Sequence, residues 1–173
     1  PFSYFFEQLS LQKIINLDNF QLKNRNLFNK DLNYLFEYFD CDKGDRFINQ
    51  YARFSKKNLI KIKGHKYHNY YEKYFKKVKK KKINILELGT FKGNSTASFF
   101  FYFKKASFYA CDLYPDLFRY KSERIKNFLI DSSSRSELEN LIKEINYDII
   151  IEDAGHYHKD QILSLFILFK NLK

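Results

Sequence analysis

The second half of the chain alternates short apolar runs with segments of helical spacing. The apolar runs are residues 83–88, 107–112, 125–130 and 147–153, and the first and last are almost continuously apolar, as buried parallel strands tend to be. Segments that predict helices lie between and after these runs, at residues 94–104, 117–121, 135–144 and 159–172. The alternation predicts an α/β fold with a Rossmann-like, open and mostly parallel sheet that carries helices on both faces.

The first half of the chain has apolar side chains at helical spacing. Examples are Leu27, Leu32, Leu35, Phe36 and Phe39. Polar stretches with a glycine predict loops at residues 40–47 and 61–68, and the second loop precedes a predicted helix through residues 70–75. We therefore expect a helical N-terminal segment, residues 1–80, on the lid or substrate side. Residues 81–173 would form a Rossmann-like domain with its first four βα units.

Lysine dominates the charge of the chain. The 31 Lys and Arg residues against 20 Asp and Glu residues give a formal net charge of +11, which raises nucleic acid or an anionic surface as a partner. Six lysines stand in KKVKKKK, residues 76–82, where a helix end or loop would leave them solvated. Because no nucleic-acid-binding motif accompanies them, nucleic acid is the less favoured partner, and an RNA-binding or RNA-methylating protein is kept as an alternative.

The cysteines and the hydropathy indicate the cellular setting. Cys41 and Cys111 stand outside any C-x-x-C motif, which predicts reduced thiols in a cytoplasmic protein. The sequence has no apolar run of about 18 residues, so no membrane span is predicted. The sequence leaves the oligomeric state open, and a homo-oligomer is one of the alternatives.

Acidic side chains end all four predicted strands. They are Glu87, Asp112, Asp131 followed by Ser132, and Glu152 with Asp153, after which comes His156. In open parallel sheets, ligands bind at the carboxyl ends of the strands, near the point where strand order reverses. Carboxylates at that edge must be hydrated or paired with a ligand. Their recurrence indicates a binding site better than it indicates packing.

The turn after the first strand indicates which ligand would bind. Gly89 and Gly93 permit close approach of the backbone, but their G-x-x-x-G spacing lacks both G-x-G-x-x-G and G-K-[ST], which disfavours a diphosphate. Glu87 beside the turn would repel phosphate and attract an ammonium or sulfonium group. Asp112 is placed to accept hydrogen bonds from the hydroxyls of a ribose. An adenosine with an amino-acid tail, S-adenosylmethionine, satisfies both conditions.

Four segments in order carry a family resemblance: ILELGTFKGNST, YACDLYPD, NFLIDSSSRSEL and YDIIIEDAGHYHKDQ. From about residue 40 to its end, the chain resembles class I S-adenosylmethionine-dependent methyltransferases. More narrowly, E-D-A-G-H at 152–156, with D-K-G at 42–44 and H-x-Y at 65–67, resembles the macrocin- and mycinamicin-type sugar O-methyltransferases. Those enzymes carry D-D-G-S-H at the fourth strand.

The resemblance implies roles for the residues that match the motifs of the family. Those implied to bind S-adenosylmethionine are Glu87, Gly89 and Gly93 at the methionine portion, Asp112 at the ribose, and Asp131 and Ser132 against the adenine. Asp153 is implied to ligate Mg²⁺, and His156 to act as the general base. Methyl transfer requires an aligned acceptor oxygen that loses its proton. A bound divalent ion would lower the pKa of the acceptor hydroxyl, and the imidazole would take its proton.

The implied function is a metal-assisted O-methyltransferase that acts on a sugar or glycoside hydroxyl of a small-molecule or glycan acceptor. A cephalosporin-hydroxylase-like enzyme of the same fold is an alternative. The sheet of the family continues into a fifth strand whose end supplies further acidic metal ligands, whereas this sequence stops at Lys173. We therefore expect a fold that is incomplete at its C-terminus, and a fragment that is inactive alone.

Overall fold

The structure, a computed structural model, describes residues 13–48, 61–143 and 145–173. Within these ranges the strands are β1 (Ile15–Asn16), β2 (Arg46–Ile48), β3 (Lys61–Lys63), β4 (Asn84–Leu88), β5 (Ser107–Asp112), β6 (Tyr120–Lys121), β7 (Ile125–Leu129) and β8 (Ile149–Glu152). The α-helices are α1 (Leu17–Lys23), α2 (Leu32–Tyr38), α3 (His68–Phe75), α4 (Asn94–Tyr102), α5 (Arg135–Leu141) and α6 (His158–Leu168). Short 3-10 helices lie at Arg25–Asn29, Pro115–Leu117 and Phe169–Asn171.

The central sheet is built from the four predicted strands. They are parallel throughout and stand in the order β7-β5-β4-β8. Ile85 of β4 is opposite Phe108 of β5 on one side and Ile149 of β8 on the other. The chain winds outward from β4 through β5 to β7 and then returns to the other side of β4, so the order reverses between β4 and β8. The predicted Rossmann-like sheet is confirmed.

Helices cover both faces of this sheet. Ile85 and Phe108 face a core shared with α4 and the N-terminal helices. Leu86 and Tyr109, one position further along, face a second core with Leu138 of α5 and residues of α6. Because successive side chains of a strand point to opposite faces and both faces are covered, the strands are almost continuously apolar.

Helix α4 is buried on all sides. It lies between the sheet and α2, and the ring of its Phe99 meets the ring of Phe36 edge-on at 5.4 Å between centroids. Its C-terminal end is held by Arg124, whose guanidinium donates to the carbonyls of Phe100, Phe103 and Ala106 at 2.9 to 3.0 Å. The phenylalanines of this helix therefore form core. A single core joins the predicted N-terminal segment to the sheet, and the boundary after residue 80 stays a prediction.

The N-terminal segment contains strands that the sequence did not predict. Residues 46–48 and 61–63, which lie at the ends of the two predicted loops, pair as the antiparallel strands β2 and β3. The helix predicted at 117–121 is wrong: a 3-10 turn begins at Pro115, and β6 then pairs with β1 in parallel. Residues 1–12, 49–60 and 144 lie outside the described ranges, and with them the predicted end of the helix at 135–144.

The lysine run follows α3 and is largely exposed to solvent. Lys79 differs, because its ammonium lies 4.1 Å from the centroid of the Tyr102 ring, in a cation–π contact. The predicted solvated helix end agrees with this placement. Across the described ranges, no helix has both the length and the apolar character that crossing a membrane requires.

Gly89 provides a test of the close backbone contact between the turn after β4 and the loop after β8, at the point where the strand order reverses. Its φ is +80°, and a Cβ there would overlap the backbone of Asp153 and Ala154. We expect Gly89→Ala to lower the free energy of unfolding by at least about 2 kcal/mol, because backbone strain and backbone overlap add. Urea unfolding followed by circular dichroism measures this loss.

Gly155 supplies the matched control for that variant. A Cβ at Gly155 would come no closer than 3.6 Å to its nearest neighbour, the ring of Tyr157, and the glycine does not have a positive φ. Gly155→Ala should stay within about 0.5 kcal/mol of the wild type. Equal stability of the two variants would contradict the contact.

Candidate active site

A cleft of about 890 Å³ opens at the carboxyl ends of β4, β5, β7 and β8. Its volume lies within the range of small-molecule and cofactor sites. The predicted site residues that line it are Gly89, Asp112, Asp131, Ser132, Asp153 and His156. Glu87 and Gly93 do not line it. The fold therefore brings six of the eight predicted residues to one cavity.

The turn after β4 is shaped by left-handed backbone. Gly89 and Gly93 have φ near +80°, and Phe91 between them has φ of +46°. The amide of Gly89 donates to the carbonyl of Cys111 at 2.8 Å, which ties the turn to the end of β5. Gly93 is needed for packing, since a Cβ there would lie 2.5 Å from the ring of Phe118. Its contact with a cofactor stays a prediction.

Asp112 organises the turn from the end of β5. Its Oδ2 accepts from the amide of Phe91 at 2.6 Å, and its Oδ1 accepts from the amide of Tyr114 at 2.9 Å. An ionised carboxylate has about four acceptor positions, so two remain for a ligand. Asp112 can hold the turn and bind ribose hydroxyls at the same time.

Glu87 lies behind the turn. It is buried, and its carboxylate accepts from the hydroxyl of Ser95 and, at 2.6 Å, from that of Thr96, both in the first turn of α4. Burial raises the pKa of Glu87, while the positive charge of Lys43 and these two hydroxyls oppose the rise. In this structure the carboxylate of Glu87 connects β4 to α4 through these two hydrogen bonds. Its contact with the methionine portion of S-adenosylmethionine stays a prediction.

Asp131 and Ser132 follow β7 at an exposed edge of the cleft. The Oδ1 of Asp131 accepts from both the hydroxyl and the amide of Ser133, at 2.7 and 2.8 Å. These bonds lower the pKa of the Asp131 carboxyl. Their place beside β5 is compatible with the predicted contact with adenine, which stays a prediction.

Lys43 is the principal residue that sequence analysis missed. It lies in the loop after α2, is 4% exposed, and its ammonium forms an ion pair with the carboxylate of Asp153. Burial opposes its charge, but the negative charges of Asp153 and Glu87 help to raise its pKa well above the ordinary value. The D-K-G motif was the available signal, although nothing local in it indicates the partner.

The described residues do not form a magnesium site around Asp153. Lys43 already occupies one side of its carboxylate, and nowhere in residues 13–48, 61–143 and 145–173 do three or more His, Cys, Asp or Glu side chains group as metal ligands would. The role of Asp153 as a metal ligand is therefore not supported by its surroundings.

His156 stands in the loop between β8 and α6. It has a φ of +59°, which is uncommon for a residue with a side chain. It is exposed and lines the cleft, whereas His158, the first residue of α6, does not line it.

His65 and Tyr67 line the cleft from the N-terminal segment, and the centroids of their stacked rings are 5.3 Å apart.

Thr90 is a second residue that sequence analysis missed. It lies in the turn after β4, lines the cleft, and is 3% exposed. Its hydroxyl has no hydrogen-bonding partner among the described residues. Buried polar atoms are nearly always hydrogen-bonded in folded proteins. A polar group of a ligand bound at this position would give the Thr90 hydroxyl a hydrogen-bonding partner.

Comparison with known proteins gives a match of structure. No protein-family model matches the chain, and no curated protein matches its sequence. The MycE methyltransferase from the mycinamycin biosynthetic pathway, in complex with Mg and SAH, aligns with a TM-score of 0.64 and 18% identity, over 83% of this chain and 35% of that chain. Its complex with Mg, SAH and mycinamycin VI gives the same values. The chain has a class I methyltransferase fold.

The resemblance to class I methyltransferases predicted from the motifs is thus confirmed for the fold. This chain spans about a third of the length of MycE. A putative protein-L-isoaspartate O-methyltransferase from Plasmodium falciparum, in complex with S-adenosyl-L-homocysteine, aligns with a TM-score of 0.49 and 15% identity, over 88% of this chain and 77% of that chain.

The raised pKa of Glu87 generates a pH-dependent prediction. Because its folded pKa lies above the ordinary 4.5, Glu87 adds stability that is fully present below about pH 4.5 and is lost as the pH rises through the folded value. Glu87→Gln cannot titrate. We therefore expect the unfolding free energy of the wild type, minus that of Glu87→Gln, to fall with rising pH.

Urea unfolding of both proteins between pH 4 and pH 8 measures this difference. The control is Glu139→Gln, since Glu139 is exposed on α5 and pairs only with Arg135 across one helical turn. The wild-type minus control difference should show a much smaller slope. A Glu87 difference that is flat or rises with pH would contradict the effect of burial.

Proposed function

We propose that the chain forms the cofactor-binding part of an S-adenosylmethionine-dependent O-methyltransferase that acts on a sugar or glycoside hydroxyl. The observation that carries the proposal is the cleft at the strand ends of a class I methyltransferase fold, lined by Asp112 and by Thr90, whose hydroxyl has no partner within the part of the chain that the structure describes. Asp112 would accept from the ribose hydroxyls. Thr90 would hydrogen-bond the amino-acid tail.

The charge of the cleft favours a cationic nucleoside over a dinucleotide. Its described lining contains six aspartates, namely Asp40, Asp42, Asp112, Asp131, Asp153 and Asp160, against the two lysines Lys43 and Lys92. Lys43 is already paired with Asp153. An excess of carboxylates repels a diphosphate and attracts the sulfonium and ammonium of S-adenosylmethionine.

The residues of the cleft suit displacement at a methyl group. Bound S-adenosylmethionine would supply an activated methyl group on sulfur. The protein then has to align an acceptor oxygen and remove its proton. His156 lies at the cleft with an exposed imidazole, the side chain that most often serves as a general base in enzymes. We assign it the role of general base.

The acceptor is proposed from the neighbouring structure and from the cleft wall. MycE is described in complex with mycinamycin VI. In this chain, the stacked rings of His65 and Tyr67 add an aromatic surface to the cleft, against which a sugar ring could pack. MycE is also described with Mg. The proposal here does not include Mg²⁺, because Asp153 pairs with Lys43.

Cofactor binding tests the first part of the proposal. Isothermal titration calorimetry of the chain should show one site for S-adenosylmethionine and none for NAD. Asp112→Ala should weaken the affinity about 10- to 100-fold, since hydrogen bonds to a charged group contribute about 1.5–3 kcal/mol. NAD binding in preference to S-adenosylmethionine would reject the proposal.

Asp148→Ala is the matched control for Asp112→Ala. Asp148 immediately precedes β8, at the amino ends of the strands and so away from the cleft. Its carboxylate likewise accepts from a backbone amide, that of Asn84 at 2.9 Å. It does not line the cleft. Its substitution should leave the affinity for S-adenosylmethionine within twofold of the wild type. An equal loss in both variants would indicate general destabilisation.

His156→Ala tests the assignment of the base. In a radiolabelled methyl-transfer assay of the full-length protein with a panel of glycosides, this variant should lose about 100-fold or more in rate, the scale of general base catalysis, and retain its affinity for the cofactor. His158→Ala is the control, because His158 is two residues away and outside the cleft lining. Equal rates for the two variants would remove His156 from the mechanism.

A further inference from the structure

Lys43 and Asp153 join two distant parts of the chain inside the cleft. They are 110 residues apart, and the side chain of Lys43 is 5% exposed while that of Asp153 is 28% exposed. The ammonium contacts Oδ2 of Asp153 and lies 3.9 Å from a carboxylate oxygen of Asp42. A buried ammonium without a partner is strongly unfavourable, so this pair is a required part of the folded cleft.

The ion pair stands where the sequence predicted a divalent cation. Asp153 is the residue that the family resemblance implies as a ligand of Mg²⁺, and Lys43 contacts one of its two carboxylate oxygens. A divalent ion on the same carboxylate would stand close to a buried ammonium, and the two positive charges would repel each other at low dielectric. Binding the metal would require Lys43 to leave its buried position.

The surroundings of Lys43 also balance its charge without a metal. Asp153 contacts it directly, and the charge of buried Glu87 acts on it as well. The thiol of Cys41 is neutral near pH 7, because burial raises its pKa to about 12. The charge of the ammonium is thus compensated by carboxylates of the fold without a metal ion.

We propose that Lys43 is the resident cation of the cleft: its ammonium takes the position beside Asp153 that Mg²⁺ was expected to take, and it orients that carboxylate toward the bound reactants. The inference deepens the proposed function and rests on it only for the identity of the cofactor. Lys43 is a positioning residue, since it acts through Asp153. Cofactor binding by this chain is accordingly independent of divalent cations.

Paramagnetic broadening by Mn²⁺ tests the inference on the unmodified chain. Mn²⁺ replaces Mg²⁺ at oxygen ligands and broadens the nuclear magnetic resonance signals of nearby amides. With millimolar Mn²⁺, the amides of Lys43 and residues 153–156 should broaden no more than those of exposed acidic sites elsewhere. Selective, saturable broadening at Lys43 and residues 153–156 would overturn the inference.

Calorimetry with S-adenosylhomocysteine supplies the second readout. The affinity measured with Mg²⁺ and with EDTA should agree within twofold, whereas a tenfold gain with Mg²⁺ would overturn the inference. If S-adenosylhomocysteine does not bind under either condition, the proposed function fails. The Mn²⁺ experiment still decides the role of Lys43 in that case, because it needs no cofactor.

A double-mutant cycle measures the coupling of the pair. Asp153→Asn should lower the melting temperature by roughly 10 °C, because it leaves the buried ammonium of Lys43 without its partner. Lys43→Met should lower it by less, because the side chain of Asp153 is 28% exposed. The double variant should lose clearly less than the sum of the two. Additive losses would overturn the coupling. Lys61→Met, which removes a surface pair with Glu37 at 3.7 Å, is the control and should shift the melting temperature by about 2 °C or less.

Discussion

Close backbone contact between the turn after β4 and the loop after β8 fixes the geometry of the whole cleft. The turn after β4 passes so near the loop after β8 that only glycine fits at position 89. The amide of Asp153 donates to the carbonyl of Leu88 at 2.9 Å, which fixes the spacing of the two segments. Asp153 is thereby held beside the turn, and His156 follows within the same loop. The main chain thus fixes the positions of both residues at the cleft.

The acidic side chains at the strand ends accept hydrogen bonds from groups within the fold. Asp112 accepts from the amides of Phe91 and Tyr114, and Asp131 accepts from Ser133. A carboxylate held in this way presents its remaining acceptor positions in a fixed direction, which reduces the entropy that binding must overcome. Glu87 is the limiting case, because its two oxygens both accept from α4 and it does not line the cleft. Asp112 and Asp131 therefore keep acceptor positions open toward the cleft, whereas both oxygens of Glu87 are engaged within the fold.

Local pattern predicted the sheet well and the remote contacts poorly. Continuous apolar runs located β4 and β8 because both faces of those strands are buried. The segment at 117–121 has no such constraint, and its pairing with β1 depends on a partner about 100 residues away. Lys43 and Thr90 were missed for the same reason, since a lysine in a polar loop and a threonine in a turn resemble solvated residues. Their burial comes from tertiary packing, which composition and spacing do not encode.

The N-terminal segment completes the electrostatics of the cleft. The acids in the cleft lining stand at the ends of β5, β7 and β8 as well as in the loops around them, while Lys43 arrives from the loop after α2. Burial raises the pKa of the nearby Glu87 and the charge of Lys43 lowers it, so without that ammonium the pKa of Glu87 would be higher still. The protonated form of Glu87 would then be favoured more strongly. The segment before the sheet therefore helps to determine the charge of the cleft.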